Sequence, residues 1–257
     1  KTDEETGKLV DEFVAFGKSL PVPLLTGNPE GLVKDESKPP LNEDGSWNRK
    51  DYNTVIMFEN GEIKETYRKQ HLVPFTEHFP YEKQMPWLYN LLLANDYNWW
   101  ETGYVPVVFE TDSGVTFSTP ICFEDVFGYL TAGFVRNGAD VIVNMTNDSW
   151  SGAVSAEMQH LAMAVFRSVE TKKTTVRGTN SGMTCVIEPS GKIVDPMKPF
   201  TKGWKIYDVP VFTNEDDTLY TRHDDWFAFV TIYLSFGLLA IGAVRALLYH
   251  IRAKQKK

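Results

Sequence analysis

Residues 115–138 read VTFSTPICFEDVFGYLTAGFVRNG, and this stretch indicates how the chain folds. Apolar and polar side chains alternate over 115–121, which predicts a β-strand. Residues 125–137 predict a helix that Gly138 ends. Cys122 is therefore expected on a turn from a strand to a helix, near the positive end of a helix dipole, where the nucleophilic thiolate is favoured. An arbitrary cysteine is more often a small buried thiol, so the neighbouring residues have to decide between these interpretations.

Strands and helices alternate along the rest of the chain, which predicts an α/β domain. The Asn60-Gly61 pair is a strong hairpin signal, and the polar stretch 28–51 predicts a long surface loop. Further helices are predicted at 2–19 and 155–171, and strands at 21–25, 52–58, 63–68, 104–109, 139–144, 173–178, 183–188 and 192–194. The apolar positions of the helix at 155–171 predict its buried face, which comprises Met158, Leu161, Ala162, Val165, Phe166 and Val169.

The composition narrows the class of protein. With 257 residues and 42% hydrophobic content, the chain is long enough for one sizeable core. Its net charge of -8 argues against a nucleic-acid partner. Two cysteines, Cys122 and Cys185, are too few for a disulfide framework, and Cys185 is predicted to lie in the core. No spacing of His, Cys, Asp and Glu predicts a metal site, and no cofactor is predicted.

The end of the chain differs from the rest. Residues 226–244 are uncharged, and their number is close to the ~20 residues that span a bilayer as a helix. All five basic residues after Trp226 lie beyond this segment, without an acidic one, which predicts a cytoplasmic C-terminus. Residues 1–225 hold 21 basic and 34 acidic side chains, a net charge of -13, and are predicted to lie across the membrane from that end. A buried core helix is the weaker alternative, because the segment is apolar on all sides.

Three polar strings each follow a predicted strand, which is where α/β sheets place their sites. Acyl transfer at a thiol needs a thiolate, a base for the thiol proton, and a cation or N–H group that holds the oxyanion. Lys69 is the candidate cation, and Glu77 is predicted to orient Lys69 or Glu124. The strings are YRKQHLVPFTE at 67–77, CFE at 122–124 and NDSWSG at 147–152.

These strings, with QH at 159–160 and RGTNSG at 177–182, make the sequence resemble the nitrilase (carbon–nitrogen hydrolase) superfamily. Within it, the chain is most similar to the C-terminal part of the apolipoprotein N-acyltransferase family. The resemblance implies an αββα sandwich with a Glu–Lys–Cys triad, followed by one C-terminal transmembrane helix. It makes Cys122 the nucleophile and Lys69 the oxyanion-stabilising cation, and it makes Glu77 and Glu124 supporting carboxylates. Asn147 and Trp150 are expected to shape the substrate pocket.

The resemblance also implies the reaction and its location. A phospholipid donates a fatty acyl chain to the cysteine as a thioester, and the N-terminal amine of a diacylglyceryl-modified apolipoprotein accepts it. The chain is expected in the bacterial cytoplasmic (inner) membrane, with a catalytic domain at 1–222 on the periplasmic side. Residues 223–257 would form the transmembrane helix and its basic cytoplasmic tail.

The sequence departs from the family's pattern at two places. The family's general-base glutamate precedes the first helix of the domain, which here begins near residue 3. That base and the first strand are therefore expected upstream of Lys1, and residues 1–257 are expected to be a fragment. The second departure is Ser151, where the family often has an aromatic residue. Two alternatives stay open: an anchored amidase with water as the final acceptor, and a tethered binding domain without catalysis.

The aromatic stretch 84–100 has two interpretations of equal standing. It is either an ordinary buried helix or a lid that dips into the lipid surface, with Trp99 and Trp100 as interfacial residues that bind substrate. Two histidines near the motifs, His71 and His160, are expected to be structural.

Overall fold

A computed structural model describes residues 3–40, 47–95, 97–213 and 217–255, and it contains two β-sheets. The first sheet has the order β1-β2-β3 and the second the order β4-β5-β6-β7-β8-β9. The strands are β1 (Leu24–Val33), β2 (Arg49–Glu59), β3 (Glu62–Arg68), β4 (Phe109–Glu110), β5 (Thr116–Ser118), β6 (Val141–Asn147), β7 (Thr174–Asn180), β8 (Cys185–Ile187) and β9 (Ile193–Val194). The helices are α1 (Asp3–Ser19), α2 (Pro86–Leu93), α3 (Gly128–Arg136), α4 (Val154–Thr171), α5 (Leu219–His223) and α6 (Trp226–Gln255).

The first sheet is antiparallel throughout. The predicted hairpin between β2 and β3 is confirmed, with Asn60 and Gly61 both at positive φ in the turn. The prediction of one long loop over 28–51 is wrong at both its ends. Strand β1 continues through Gly27 to Val33, because its backbone pairs with β2 from Leu24↔Phe58 to Val33↔Arg49 whatever the polarity of its side chains.

The second sheet is mixed. Strands β5, β6 and β7 run parallel, so their carboxyl ends meet at one edge, while β4, β8 and β9 pair antiparallel. The strand before Cys122 is shorter than predicted and ends at Ser118, after which Ile121 makes one further bridge to Met145. This edge carries two of the three polar strings.

One core cluster joins the two sheets and confirms the αββα sandwich. Val55, Met57 and Tyr67 contribute from the first sheet, and Phe117 and Ile142 are among those from the second. Helix α3 covers the second sheet with Leu130, Phe134 and Val135. On the other side, α1 packs Phe13 against Phe58, with ring centroids 5.3 Å apart.

Helix α4 lies where it was predicted, but its expected buried face is largely wrong. Leu161 is buried and Val165 is half-buried. The other four predicted positions, Met158, Ala162, Phe166 and Val169, are exposed. The inner face instead carries polar side chains, namely Glu157, His160, Arg167, Ser168 and Thr171. Polar groups are costly to bury without partners, and these side chains have them. His160 faces Asp125 and Asp148, for example, and Ser168 donates to Thr175 Oγ1 and the Ile187 carbonyl.

Helix α6 contains the predicted apolar segment and extends beyond it to Gln255. It is the one helix among the described residues that is long and apolar enough to cross a membrane, judged by length and composition. None of its apolar stretch is buried, so the alternative of a buried core helix is wrong.

Candidate active site

A cavity of about 900 Å³ opens where the three polar strings come together. The first sheet contributes Asn53, Thr54 and Val55 to its wall. The remaining lining comes mainly from the loop after β3, the turn after β5, the ends of β6 and β7, and α4. Among the lining residues are Val73, Thr76, Glu77, Ile121, Cys122, Phe123, Met145, Asn147, Asp148, Trp150, Ser151, Glu157, His160, Met163 and Thr179.

Cys122 is the first residue of a short 3₁₀ turn, Cys122–Val126, which we call the cysteine turn. Its φ of 53° lies in the left-handed region, which costs about 1–3 kcal/mol for a residue with a side chain. The fully buried side chain of Asn144 holds this conformation by donating to the carbonyl oxygens of Pro120 and Cys122, both at 3.1 Å. Helix α3 begins only at Gly128, later than predicted, so Cys122 does not stand at its first turn. Cys122 is half-buried at the cavity wall.

Lys69 and Glu77 form a buried ion pair on the loop after β3. The Lys69 ammonium lies 2.8 Å from Oε1 and 2.7 Å from Oε2 of Glu77, and the Lys69 side chain is 1% exposed. Glu77 also accepts from Asn53 Nδ2 at 3.2 Å and from the Val73 N–H at 2.8 Å. Glu77 is part of the cavity lining as the described residues form it, whereas Lys69 is not.

The backbone around Lys69 is also fixed. Its N–H donates to the Asn53 carbonyl at 2.9 Å, and its carbonyl accepts from the Gly103 N–H at 2.8 Å. A side chain at position 103 would collide with the Arg68 backbone, so this close approach requires glycine. The ammonium group of Lys69 therefore has a defined position relative to the first sheet.

Glu124 joins the loop after β3 to the cysteine turn. One carboxylate oxygen accepts from the N–H groups of Gln70 and His71, at 2.6 and 2.9 Å, and the other accepts from the Ile121 N–H at 2.7 Å. The Tyr67 hydroxyl donates to both oxygens at 3.0 Å. Burial raises the pKa of Glu124 to about 7, although the backbone hydrogen bonds oppose this shift. Glu124 is fully buried, and these hydrogen bonds hold the two segments together.

The third string places Asn147 and Trp150 at the cavity. Asn147 ends β6, and its Oδ1 accepts from Ser149 Oγ at 2.7 Å and from Asn180 Nδ2 at 3.1 Å. Trp150 is 80% exposed at the rim. Behind it, Ser151 donates to Glu157 Oε1 at 2.5 Å.

Trp99 and Trp100 lie outside the cavity lining as the described residues form it. Trp99 stacks on Tyr97 at 5.9 Å, and its indole Nε1 is buried without a hydrogen-bond partner among the described residues. The Trp100 N–H donates to the Glu77 carbonyl at 2.9 Å, which ties this segment to the site. The assignment of both residues to substrate binding stays a prediction.

The interpretation of 84–100 as an ordinary buried helix is wrong. Its helical part is α2, and none of the eight described residues of α2 is buried. Trp87, Leu91 and Leu93 are exposed. An apolar helix with no buried residue is the pattern expected of a segment that meets another apolar phase.

His71 and Cys185 have the structural positions that were expected. The His71 ring packs on Phe127 at 4.6 Å, and its Nε2 is 2.6 Å from the Tyr129 hydroxyl. Burial, with a contribution from the charge of Lys69, lowers the pKa of His71. Cys185 is fully buried in a second core cluster, and burial raises the pKa of its thiol to about 11. Among the described residues, no group of three or more His, Cys, Asp and Glu side chains could hold a metal ion.

Sequence reasoning missed several residues around the site. Tyr67 and Asn53 support the carboxylates of Glu124 and Glu77. Asp125, Asp148 and Arg177 form a buried charged cluster with His160. Tyr67 stands two residues before Lys69 on the inward face of β3, a period-2 signal that was available in the sequence. The charged cluster joins positions too distant in the chain for any spacing rule to connect.

A family model described as carbon-nitrogen hydrolase matches residues 37–213. The chain belongs to this family. Among solved structures, the carbon-nitrogen hydrolase fold is similar to that of Saccharomyces cerevisiae Nit3, a member of branch 10 of the nitrilase superfamily. The TM-score is 0.50 at 20% identity, covering 74% of this chain and 60% of that one.

The curated relatives belong to a narrower group of proteins than the family model does. The chain is 40% identical over 239 residues to apolipoprotein N-acyltransferase 1 of Treponema denticola, covering 91% of this chain and 44% of that protein. It is 39% identical over 216 residues to apolipoprotein N-acyltransferase 1 of Treponema pallidum, covering 82% and 38%. The chain thus spans about two fifths of the length of these relatives.

Proposed function

We propose that this chain carries the acyl-transferring site of a membrane-bound lipoprotein N-acyltransferase. The observation that carries the proposal is Cys122, held on a left-handed turn at the wall of a cavity that is largely apolar and that Glu77 also lines. A cavity of about 900 Å³ lies within the range of ~300–1,000 Å³ that is usual for ligand pockets. The similarity to apolipoprotein N-acyltransferases supplies the substrate class.

In the first step, the thiolate of Cys122 attacks the ester carbonyl carbon of a phospholipid. The carbonyl electrons move onto oxygen, where a positive charge stabilises them, and Lys69 is the proposed cation. The tetrahedral intermediate collapses to a thioester and a lysophospholipid alkoxide. The alkoxide takes the proton that a general base removed from the thiol. In the family that the chain resembles, that base is a glutamate.

In the second step, the N-terminal amine of a diacylglyceryl-modified lipoprotein attacks the thioester carbonyl. The C–S bond breaks, an amide forms, and the proton lost by the amine restores the thiol. Glu77 holds Lys69 in place during both steps, because its two oxygens are the partners of the ammonium group. Glu124 keeps the lysine-bearing loop beside the cysteine turn.

The proposed location follows from α6. Its unburied apolar surface would be covered by lipid, and the basic residues after it favour a cytoplasmic end, so the site would face the periplasm of a bacterial inner membrane. The exposed apolar residues of α2 would then lie near the source of the acyl donor. Residues 1–222 form the catalytic domain in this proposal, and residues 223–257 anchor it.

The test uses the complete protein in detergent, mixed with phosphatidylethanolamine that carries a labelled acyl chain. Cys122→Ala is expected to abolish the hydroxylamine-sensitive protein adduct, while Cys185→Ala keeps it, because Cys185 is buried in the core. An adduct that survives Cys122→Ala would overturn the proposal. With a lipopeptide amine present, the product is expected to be an amide. Free fatty acid would favour the amidase alternative, and no turnover would favour the binding domain.

A further inference from the structure

Four buried side chains form a closed ring of charges directly behind the cysteine turn. His160 Nε2 lies 2.8 Å from Asp125 Oδ1, and His160 Nδ1 lies 2.9 Å from Asp148 Oδ1. Arg177 completes the ring, because Nη1 bonds Asp125 Oδ2 and Nη2 lies 3.7 Å from Asp148 Oδ2. The four side chains, which we call the charge ring, are each at least nine-tenths buried.

The geometry fixes the charge state of His160. Both ring nitrogens face carboxylate oxygens, which only accept hydrogen bonds, so both nitrogens must donate and the ring is an imidazolium. Burial opposes this charge, but the hydrogen bonds to Asp125 and Asp148 outweigh it and raise the pKa of His160 to about 10. Two cations then balance two anions, which is the condition for burying such a group.

The charge ring connects four segments of the site: the cysteine turn, the residues after β6, helix α4 and strand β7. Asp125 belongs to the cysteine turn, three residues after Cys122. Asp148 follows Asn147, and its N–H donates to the Asn180 carbonyl at 3.1 Å. His160 projects from α4 and Arg177 from β7. A shift of any one of these elements would break a bond to a charged, buried partner.

We propose that His160 is a positioning residue for Cys122. It acts by holding Asp125 of the cysteine turn to Asp148, which follows Asn147 at the cavity wall. The inference rests on the proposed function for its catalytic meaning, but the geometry it describes does not depend on the substrate. The left-handed backbone at Cys122 is unfavourable by itself, so it persists only where surrounding contacts hold it. Asn144 holds the N-terminal side through Pro120 and Cys122, and His160 holds the other side through Asp125.

The other charged groups around His160 support this role. Arg167 lies about two helical turns after His160 on α4. It donates to the carbonyl oxygens of Asp125 and Val126 and so fixes the backbone of the cysteine turn. Glu157, also on α4, turns Oε2 towards Gly182, as Asp148 does with Oδ2. Burial, with a contribution from the charge of Asp148, raises the pKa of Glu157.

The test measures the rate at which iodoacetamide alkylates Cys122 in the complete protein at pH 7. His160→Gln is expected to lower that rate and kcat about 10- to 100-fold with KM for the phospholipid unchanged, because a displacement near 1 Å has an effect of that size. His223→Gln, on the exposed face of α5, is the matched control and is expected to leave both unchanged. Protection of Cys185 from the reagent reports that the core is intact.

Alkylation of Cys122 at the wild-type rate in a folded His160→Gln protein would overturn the proposal. If that variant loses the protection of Cys185, Asp125→Asn decides, because the clamp acts through Asp125. Slower alkylation of Cys122 in Asp125→Asn then supports the proposal, and alkylation at the wild-type rate overturns it. Loss of Cys185 protection in both variants would make the charge ring a folding element and also overturn it. Alkylation needs no acyl transfer, so these outcomes are separate from those of the Cys122→Ala adduct test.

Discussion

Two buried charged groups adjoin the cysteine turn, one from each sheet, and they differ in how their charges are partnered. On the first sheet, the single cation Lys69 faces the single carboxylate Glu77, which is also part of the cavity wall. On the second sheet, two cations and two carboxylates close into the charge ring. Both groups reach the cavity wall, through Glu77 on one side and through Asp148 and His160 on the other. They differ because each charge in the ring has two charged partners, whereas Lys69 and Glu77 are paired one to one. Burial of charge alone therefore does not identify the catalytic groups.

The largest expected effect is at the pair. Lys69→Met removes the cation from a carboxylate that is 13% exposed, so we expect unfolding free energy to fall by about 3–5 kcal/mol and acyl transfer to be lost. Urea unfolding and the thioester assay measure the two effects. The control is Lys64→Met, whose partner Asp112 is 3.4 Å away at the surface, and a change below about 1 kcal/mol is expected there. Equal losses in the two variants would contradict the comparison.

The next largest effect is expected at Glu124, which joins the loop after β3 to the cysteine turn. Glu124→Gln places an amide N–H₂ among N–H and hydroxyl donors, so we expect a loss of about 1–3 kcal/mol and slower alkylation of Cys122. Glu62→Gln, an exposed carboxylate on β3, is the control. Unfolding in urea and the alkylation rate check the result, and an unchanged protein would show that Glu124 does not join the two segments.

The charge ring makes the stability of the fold depend on pH. Because folding raises the pKa of His160 to about 10 from an ordinary value near 6.5, its contribution is complete below about pH 6.5 and is lost as pH rises through about 10. Burial opposes the charge of Asp148, but His160 lowers the pKa of Asp148, so that contribution is lost as pH falls below its ordinary range. Unfolding free energy measured from pH 6 to 10.5 should therefore fall more steeply in the wild type than in His160→Gln. Parallel curves would contradict an imidazolium in the ring.

The smallest effect is at Ser151. Ser151→Ala removes one donor from the buried Glu157, so we expect a loss of about 1 kcal/mol. Ser149→Ala removes a surface bond to Asn147 and should cost less. Thermal unfolding of both variants measures the difference, and a larger loss at Ser149 would show that Glu157 does not depend on its serine partner.

Local patterns in the sequence predicted much of this molecule. The hairpin at Asn60-Gly61, the position of α4 and the unpartnered helix α6 follow from turn chemistry and hydrophobic periodicity, which act over a few residues. The buried face of α4 was wrong for most of its positions. Periodicity shows that a helix has two faces, and it assigns the apolar one to the core only if the neighbouring elements are apolar as well.

Residue identity and short-range conformation are local properties, so the order of residues alone predicts which chemical groups are present and that they follow strand ends. Groups of this kind are the thiol of Cys122, the Lys69 and Glu77 pair eight residues apart, and the apolar end of the chain. Which charges become partners depends instead on contacts between residues that are far apart in the chain. Asp125 and Arg177 are 52 residues apart in the chain, and they meet because parallel strands bring their carboxyl ends to one edge of the sheet.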